Sequence, residues 1–170
     1  AILFASERLA RGNQKQQEAC GAAILVAFEV DPILAAEMIF RSNDAVWVRV
    51  APTIQGLVKR WHAPGKVDRA LRFMISSGRP EFLDYVWPLI THEDDQVHLK
   101  ALRAGRRFRP SLLGSDAAKR IAALPLDVRK NVLHEIASNS GMDGLDLAAA
   151  ITKDDPDPEV QAAVIDALAF

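Results

Sequence analysis

The sequence predicts an all-α protein, a solenoid built from stacked pairs of antiparallel helices. Apolar residues recur at three- and four-residue spacing along almost the whole chain, and no segment keeps the alternation of a half-buried strand. Short turns rich in Pro, Gly, Asn and Asp separate these segments. A pattern anchored on valine recurs at intervals of about 31 residues, and such internal repetition is typical of solenoids.

Turn residues divide the chain into about ten predicted helices. Asp31-Pro32 ends one helix and begins the next, because proline suits the first helical turn. Ser42, Asn43 and Asp44 supply a turn and an N-cap for the next helix, which residues 63–65 stop. The interior Pro88 is expected to kink its helix. The predicted helices cover residues 14–30, 32–41, 44–61, 66–76, 80–91, 96–107, 115–123, 125–138, 144–153 and 158–170. The connections are short, so we predict a single domain over residues 1–170.

The repeat aligns four helices through a valine near the start of each. These valines are Val67, Val97, Val128 and Val160. One and two turns later we expect a buried apolar stripe, formed by Leu71, Ala101, Val132, Val164, Ile75, Gly105, Ile136 and Leu168. The polar residues directly after the valines are expected to face solvent or a neighbouring turn: Asp68, His98, Arg129 and Gln161. An earlier copy at Val48-Arg49 stands much closer to Val67 than one repeat interval, so the register is predicted to break near residues 61–66.

Three stretches share one motif, an apolar helix, an acidic turn and a valine on the following helix. They are residues 33–57, 82–102 and 147–168, and the run from Asp154 to Val160 is the fullest example. In this motif the chain resembles the HEAT-repeat family. The resemblance implies a right-handed α-solenoid over most of residues 32–170. The family favours arginine after the valine; here only Arg49 and Arg129 fit that preference, whereas His98 and Gln161 depart from it.

Composition limits the classes of partner and compartment. The formal net charge of -1 argues against a global polyanion-binding surface, so any nucleic-acid site must be local. The single Cys20 excludes an internal disulfide and favours the cytoplasm. No apolar run approaches the roughly 20 residues of a membrane span, so we expect no membrane partner. The chain begins at Ala1 and ends in an apolar helix, so we expect a piece cut at both ends from a longer array.

The densest charge feature is a run of five cations in ten residues with no acid among them. These are Lys100, Arg103, Arg106, Arg107 and Arg109. Within the predicted helix 96–107, Lys100, Arg103 and Arg107 share one stripe. Such a stripe suits a phosphate backbone or an acidic partner helix, because arginine forks match phosphate oxygens. The alternative is a solvated helix face whose cations interact favourably with the helix dipole.

Two smaller clusters each have a binding interpretation and a structural one. Trp61 follows Lys59-Arg60, an arrangement that suits stacking on a base or ligand, whereas packing between repeats is the interpretation we favour. His92, His98 and the acids at residues 93–95 lack the ligand spacing of a zinc or calcium site. We expect these acids to cap a helix and predict no metal and no cofactor.

No nucleophile elbow, phosphate loop, dinucleotide fingerprint or zinc-protease motif occurs in the sequence. We therefore expect a non-catalytic interaction scaffold or sensor array that presents an extended helical surface to a protein partner or attached domain. The HEAT resemblance implies that such an array regulates an attached catalytic domain, for example a signalling NTPase. The alternative is a nucleic-acid-binding HEAT-like module or DNA-repair glycosylase using the basic stripe 100–109. A lyase or isomerase acting on a bound pigment is a third possibility.

Overall fold

The structure is a computed structural model, and it describes residues 1–155 and 157–168. Within these ranges the chain forms eleven α-helices and no strand, which confirms the all-α prediction. The helices are α1 Ile2–Ala10, α2 Gln14–Val30, α3 Pro32–Phe40, α4 Asp44–Trp61, α5 Arg69–Ser77, α6 Leu83–Ile90, α7 Asp95–Leu102, α8 Ala117–Ala122, α9 Leu126–Asn139, α10 Met142–Asp154 and α11 Pro158–Leu168. Short 3-10 helices cover Pro80–Phe82 and Pro110–Leu113.

Side-chain caps fix the starts of several helices. Asp31 and Asn43 accept hydrogen bonds from backbone N–H groups in the first turns of α3 and α4, and Pro32 is the first residue of α3, as predicted. Asp68 caps α5 and Asp94 caps α7 in the same way. Gly78 ends α5 with a φ of 62°, a left-handed conformation in which glycine carries no Cβ penalty.

Each helix packs on helices that are close to it in sequence. Helix α2 contacts α1, α3 and α4, α3 contacts α5, and α9 contacts α7, α10 and α11. Phe73 is fully buried in the hydrophobic core, and the ring centroids of Phe28 and Phe82 lie 5.1 and 6.1 Å from its own. Long-range packing is therefore mostly between neighbouring helices.

No helix in the described ranges combines the length and apolar character that a membrane span requires.

The predicted apolar stripe is buried wherever the structure describes it on a helix. Its buried members are Leu71, Ile75, Ala101, Val132, Ile136 and Val164. The structure does not describe the side chain of Leu168. Pro156 and the predicted helix end at Phe170 lie outside the described residues. The valine that anchors the stripe is buried at Val160 and half-buried at the other three copies, whereas Val48 is 69% exposed. Of the two alternatives expected for the residue after each valine, His98 does not face solvent, since it is 1% exposed.

The differences from the predicted helices include one additional helix and two shifted boundaries. Helix α1 was not predicted, since Ala1 makes no side-chain cap and leaves no start signal. Helix α5 begins at Arg69 rather than residue 66, because residues 62–68 form a loop that Asp68 closes by accepting the Ala63 and Leu71 N–H groups at 2.8 Å. The predicted helix 96–107 ends at Leu102, which removes the expected stripe of Lys100, Arg103 and Arg107.

Candidate anion-binding belt

Residues 103–109, here called the arginine turn, connect α7 to the 3-10 helix Pro110–Leu113. The turn replaces the predicted helix because Phe108 is drawn into the core, where it is 1% exposed and its N–H donates to the Asn139 carbonyl. Gly105 packs so closely on α5 that an added Cβ would lie 3.0 Å from Ile75 Cγ2. Burial of an aromatic ring thus outweighs the helical pattern of the surrounding residues.

Arg103 is held by an acid on α9. Its Nε donates to Glu135 Oε1 at 3.0 Å, and Nη2 also bonds that oxygen. The Glu135 side chain is 3% exposed and accepts a second hydrogen bond at 2.7 Å from Asn139 Nδ2. The hydrogen bond and charge of Glu135 raise the pKa of Arg103 above its ordinary value. Arg103 therefore neutralises a buried carboxylate and is not free to bind a partner with its full charge.

Arg109 is held in a buried ion pair on α3. Its Nη2 lies 3.0 and 3.1 Å from the two carboxylate oxygens of Glu37, and its guanidinium carbon lies 3.8 Å from the centroid of the Phe40 ring. Glu37 also accepts a hydrogen bond from Arg41. Burial favours the neutral form of Glu37, but the hydrogen bonds and charges of Arg41 and Arg109 outweigh it, so the pKa of Glu37 is lowered.

Arg106 and Arg107 are exposed and make no side-chain hydrogen bond or ion pair with the described residues. Lys100 is likewise exposed, in the last turn of α7. The five predicted binding residues therefore divide into two that are tied to buried acids and three that face solvent. The structure keeps all five on or near the arginine turn without placing them on one helical stripe.

Three linked depressions surround the arginine turn. The first, of about 410 Å³, lies between Arg103, Arg106 and Glu135. The second, of about 610 Å³, is lined by Arg69, Arg72, Lys100 and Arg103. The third, of about 250 Å³, is lined by Arg41, Arg106, Arg107 and Arg109 together with Glu37 and Leu3. Arg103 lines the first and second depressions and Arg106 lines the first and third, so the three depressions adjoin one another.

We call the cations of these depressions the arginine belt. Its members are Arg41, Arg69, Arg72, Lys100, Arg103, Arg106, Arg107 and Arg109. Ile33 of the second depression and Arg41 of the third stand at opposite ends of α3, about 12 Å apart at 1.5 Å per residue. The depressions that the belt lines therefore extend along the length of α3.

Three belt residues, Arg41, Arg69 and Arg72, were not predicted from the sequence. A signal for them exists, since Arg41, Arg72 and Arg103 follow one another at the repeat interval of the valine pattern. Arg69 and Lys100 are separated by the same interval. Equivalent positions of successive repeats therefore carry cations.

Trp61 does not line the belt. It is the last residue of α4, and its indole stacks on the Phe28 ring with centroids 5.0 Å apart and planes 6° apart. The packing interpretation of Trp61 is therefore supported by a direct contact, although 44% of the residue stays exposed.

The acids before α7 act as helix caps. Asp94 accepts a hydrogen bond from the Gln96 N–H at 2.8 Å, as predicted for this turn. Burial lowers the pKa of the nearby His98. Within the described part of the chain, His, Cys, Asp and Glu side chains form no group of three that could hold a metal ion.

Comparison with protein-family models, curated proteins and solved structures found no match to this chain. The belt is therefore interpreted from its own geometry and charge.

Proposed function

We propose that the chain is a non-catalytic interaction module, a right-handed HEAT-like α-solenoid whose arginine belt binds an anionic surface of a protein partner or attached domain. The observation that carries this proposal is the convergence of eight cations on adjoining depressions. Three of them, Arg69, Arg106 and Arg107, are exposed arginines without a side-chain partner among the described residues. An attached signalling NTPase is one such partner. The cytoplasmic location stays a prediction.

The hydrogen bonds between helices support the solenoid. Most long-range side-chain bonds join residues about one repeat apart: Arg49 to Glu18 (31 residues), Arg72 to the Ala104 carbonyl (32), Arg103 to Glu135 (32), Ser111 to the Gly78 carbonyl (33) and Trp47 to Glu81 (34). A stack in which each repeat contacts its neighbours predicts this regular separation. The handedness rests on the HEAT resemblance.

Nucleic acid is the second candidate partner, favoured by the high share of arginine in the belt. Three acids, Glu37, Asp68 and Glu135, also line the depressions and would repel a phosphate backbone. No exposed Phe, Tyr or Trp among the described residues lines the belt, so stacking on the bases of a single strand has no support. An acidic protein surface therefore fits the belt better than nucleic acid.

The test removes the exposed charges and leaves the buried ion pairs intact. The double variant is Arg106→Gln, Arg107→Gln. Neither arginine has a side-chain partner among the described residues, so the fold should not change. Arg103 is unsuitable because its loss would leave Glu135 uncompensated. The matched control is Lys119→Gln with Arg120→Gln, an adjacent exposed pair on α8 outside the belt.

Fluorescence anisotropy measures binding of labelled polyglutamate and of a short DNA duplex at about 50 and 200 mM salt, a range in which phosphate-backbone contacts weaken steeply. We expect polyglutamate to bind the original chain and the control but not the belt variant. Tighter, strongly salt-dependent binding of duplex DNA would make nucleic acid the partner. Binding of neither probe would refute the proposal.

A further inference from the structure

The third depression, here called the arginine pocket, holds more positive charge than its own acid neutralises. Four arginines, Arg41, Arg106, Arg107 and Arg109, line it together with one acid, Glu37, which leaves a formal charge of +3. Arg109 and Glu37 are largely buried, with side chains 11% and 15% exposed. Arg109 and Glu37 balance each other, so the excess lies on Arg41, Arg106 and Arg107 and favours an anion in the pocket, most strongly at low ionic strength.

The pocket also offers unused hydrogen-bond donors. Arg109 Nε is buried and has no partner among the described residues, although Nη2 of the same side chain bonds Glu37. Arg106 and Arg107 line the rim with exposed guanidinium groups that are also unpaired among the described residues. The exposed Arg106 and Arg107 therefore offer the pocket's available donors to an acceptor group, since charged donors form strong hydrogen bonds.

Size and charge together select the ligand. The volume of about 250 Å³ lies below the roughly 300–1,000 Å³ of sites for organic ligands, so the pocket fits a small anionic group. A carboxylate or phosphodiester brings one negative charge, whereas a phosphate monoester brings nearly two and presents three oxygens to several arginine forks. We infer that the arginine pocket binds a dianionic phosphate group, either free phosphate or a phosphomonoester on the partner. This inference rests on the proposed function, since the pocket is part of the belt.

Calorimetric titration of the whole chain with inorganic phosphate at neutral pH, in chloride buffer, tests the pocket directly. We expect binding at one site, and we expect sodium acetate to bind at least about tenfold more weakly. Arg107→Gln should weaken phosphate binding about tenfold, since it removes a charged hydrogen bond. The control Lys119→Gln, Arg120→Gln should bind phosphate like the original chain. Absence of phosphate binding, equal affinity for acetate, or no effect of Arg107→Gln would each overturn the inference.

A peptide carrying phosphoserine, compared with the same peptide carrying serine, separates the two sources of phosphate. Tighter binding of the phosphopeptide than of inorganic phosphate indicates a group carried by a partner, and equal or weaker binding indicates free phosphate. Both results support the pocket.

A variant of the second depression separates this inference from the proposed function. Arg69→Gln with Lys100→Gln removes two exposed cations that do not line the arginine pocket. It should weaken polyglutamate binding and leave phosphate binding unchanged. Loss of phosphate binding in this variant would contradict a site confined to the pocket. If the original chain binds polyglutamate but not phosphate, the proposed function of the arginine belt is supported and the inference about the arginine pocket is wrong.

Discussion

The arginine turn contains two kinds of arginine that the sequence alone does not distinguish. Arg103 and Arg109, at its two ends, are bonded to Glu135 of α9 and Glu37 of α3. Arg106 and Arg107, between them, are exposed and unpaired among the described residues. The end arginines therefore hold the turn against two different helices, and the middle arginines remain exposed to solvent. The number of cations in a stretch of sequence does not distinguish arginines that pair with buried acids from arginines that stay exposed.

The two roles follow from what lies beneath each residue. Phe108 enters the core next to Arg109, so the Arg109 guanidinium is desolvated and needs the Glu37 carboxylate and the Phe40 ring around it. Arg103 stays half-exposed, but its acceptor Glu135 is almost fully buried. Removing an end arginine should therefore affect stability, and removing a middle arginine should affect binding.

The largest expected effect is that of Arg109→Met. This change removes one partner of a buried ion pair, a loss that typically costs about 3 kcal/mol or more of unfolding free energy. The matched change Arg107→Met alters an exposed residue of the same turn and should stay within about 0.5 kcal/mol of the original chain. Urea unfolding followed by circular dichroism measures both. Equal destabilisation by the two variants would show that the end and middle arginines contribute alike to the free energy of unfolding, which would contradict the prediction.

Arg103→Ala should have the second largest effect, about 2 kcal/mol, because it leaves the buried Glu135 carboxylate with only Asn139 as a partner. The same urea experiment on Arg103→Ala with Glu135→Gln provides the check. A neutral amide needs no counter-charge, so the double variant should be more stable than Arg103→Ala alone. If the second change brings no recovery, the cost of losing Arg103 does not come from the buried carboxylate.

The features of the fold that depend on local chemistry were predictable from the sequence. Asp31, Pro32 and Asn43 act within one turn of their own positions, so the boundaries of α2, α3 and α4 agree with prediction to about one residue. The end of α7 was not predictable in this way. Residues 103–107 continue the helical pattern, and the burial of Phe108 and the contact of Gly105 with Ile75 end the helix through tertiary packing.

The candidate site was predictable only in part, for the same reason. The cations at residues 100–109 are visible as a cluster, but Glu135 and Glu37 lie 32 and 72 residues from the arginines that they pair with. Only the folded chain brings these acids to the turn. Arg41 and Arg72 could have been found, because each precedes another belt arginine by one repeat interval. Extending the repeat to polar positions would therefore have revealed more of the belt.

The smallest expected effect is confined to acid pH and tests the Arg109 end of the turn. The pKa of Glu37 in the folded chain is lowered below its ordinary value of 4.5, so between these two values the unfolded chain binds more protons. The stability that ionised Glu37 contributes is therefore fully present above about pH 5 and is lost as the pH falls through the folded pKa. Urea unfolding of the original chain and of Glu37→Gln from about pH 7 down to pH 3 measures this loss. The difference in unfolding free energy should be constant at neutral pH and narrow below pH 4.5, because glutamine does not titrate. A difference in unfolding free energy that stays constant to the lowest pH would show that Arg41 and Arg109 do not hold Glu37 ionised. The Arg109–Glu37 ion pair would then contribute no more to stability than the exposed arginines in the middle of the turn.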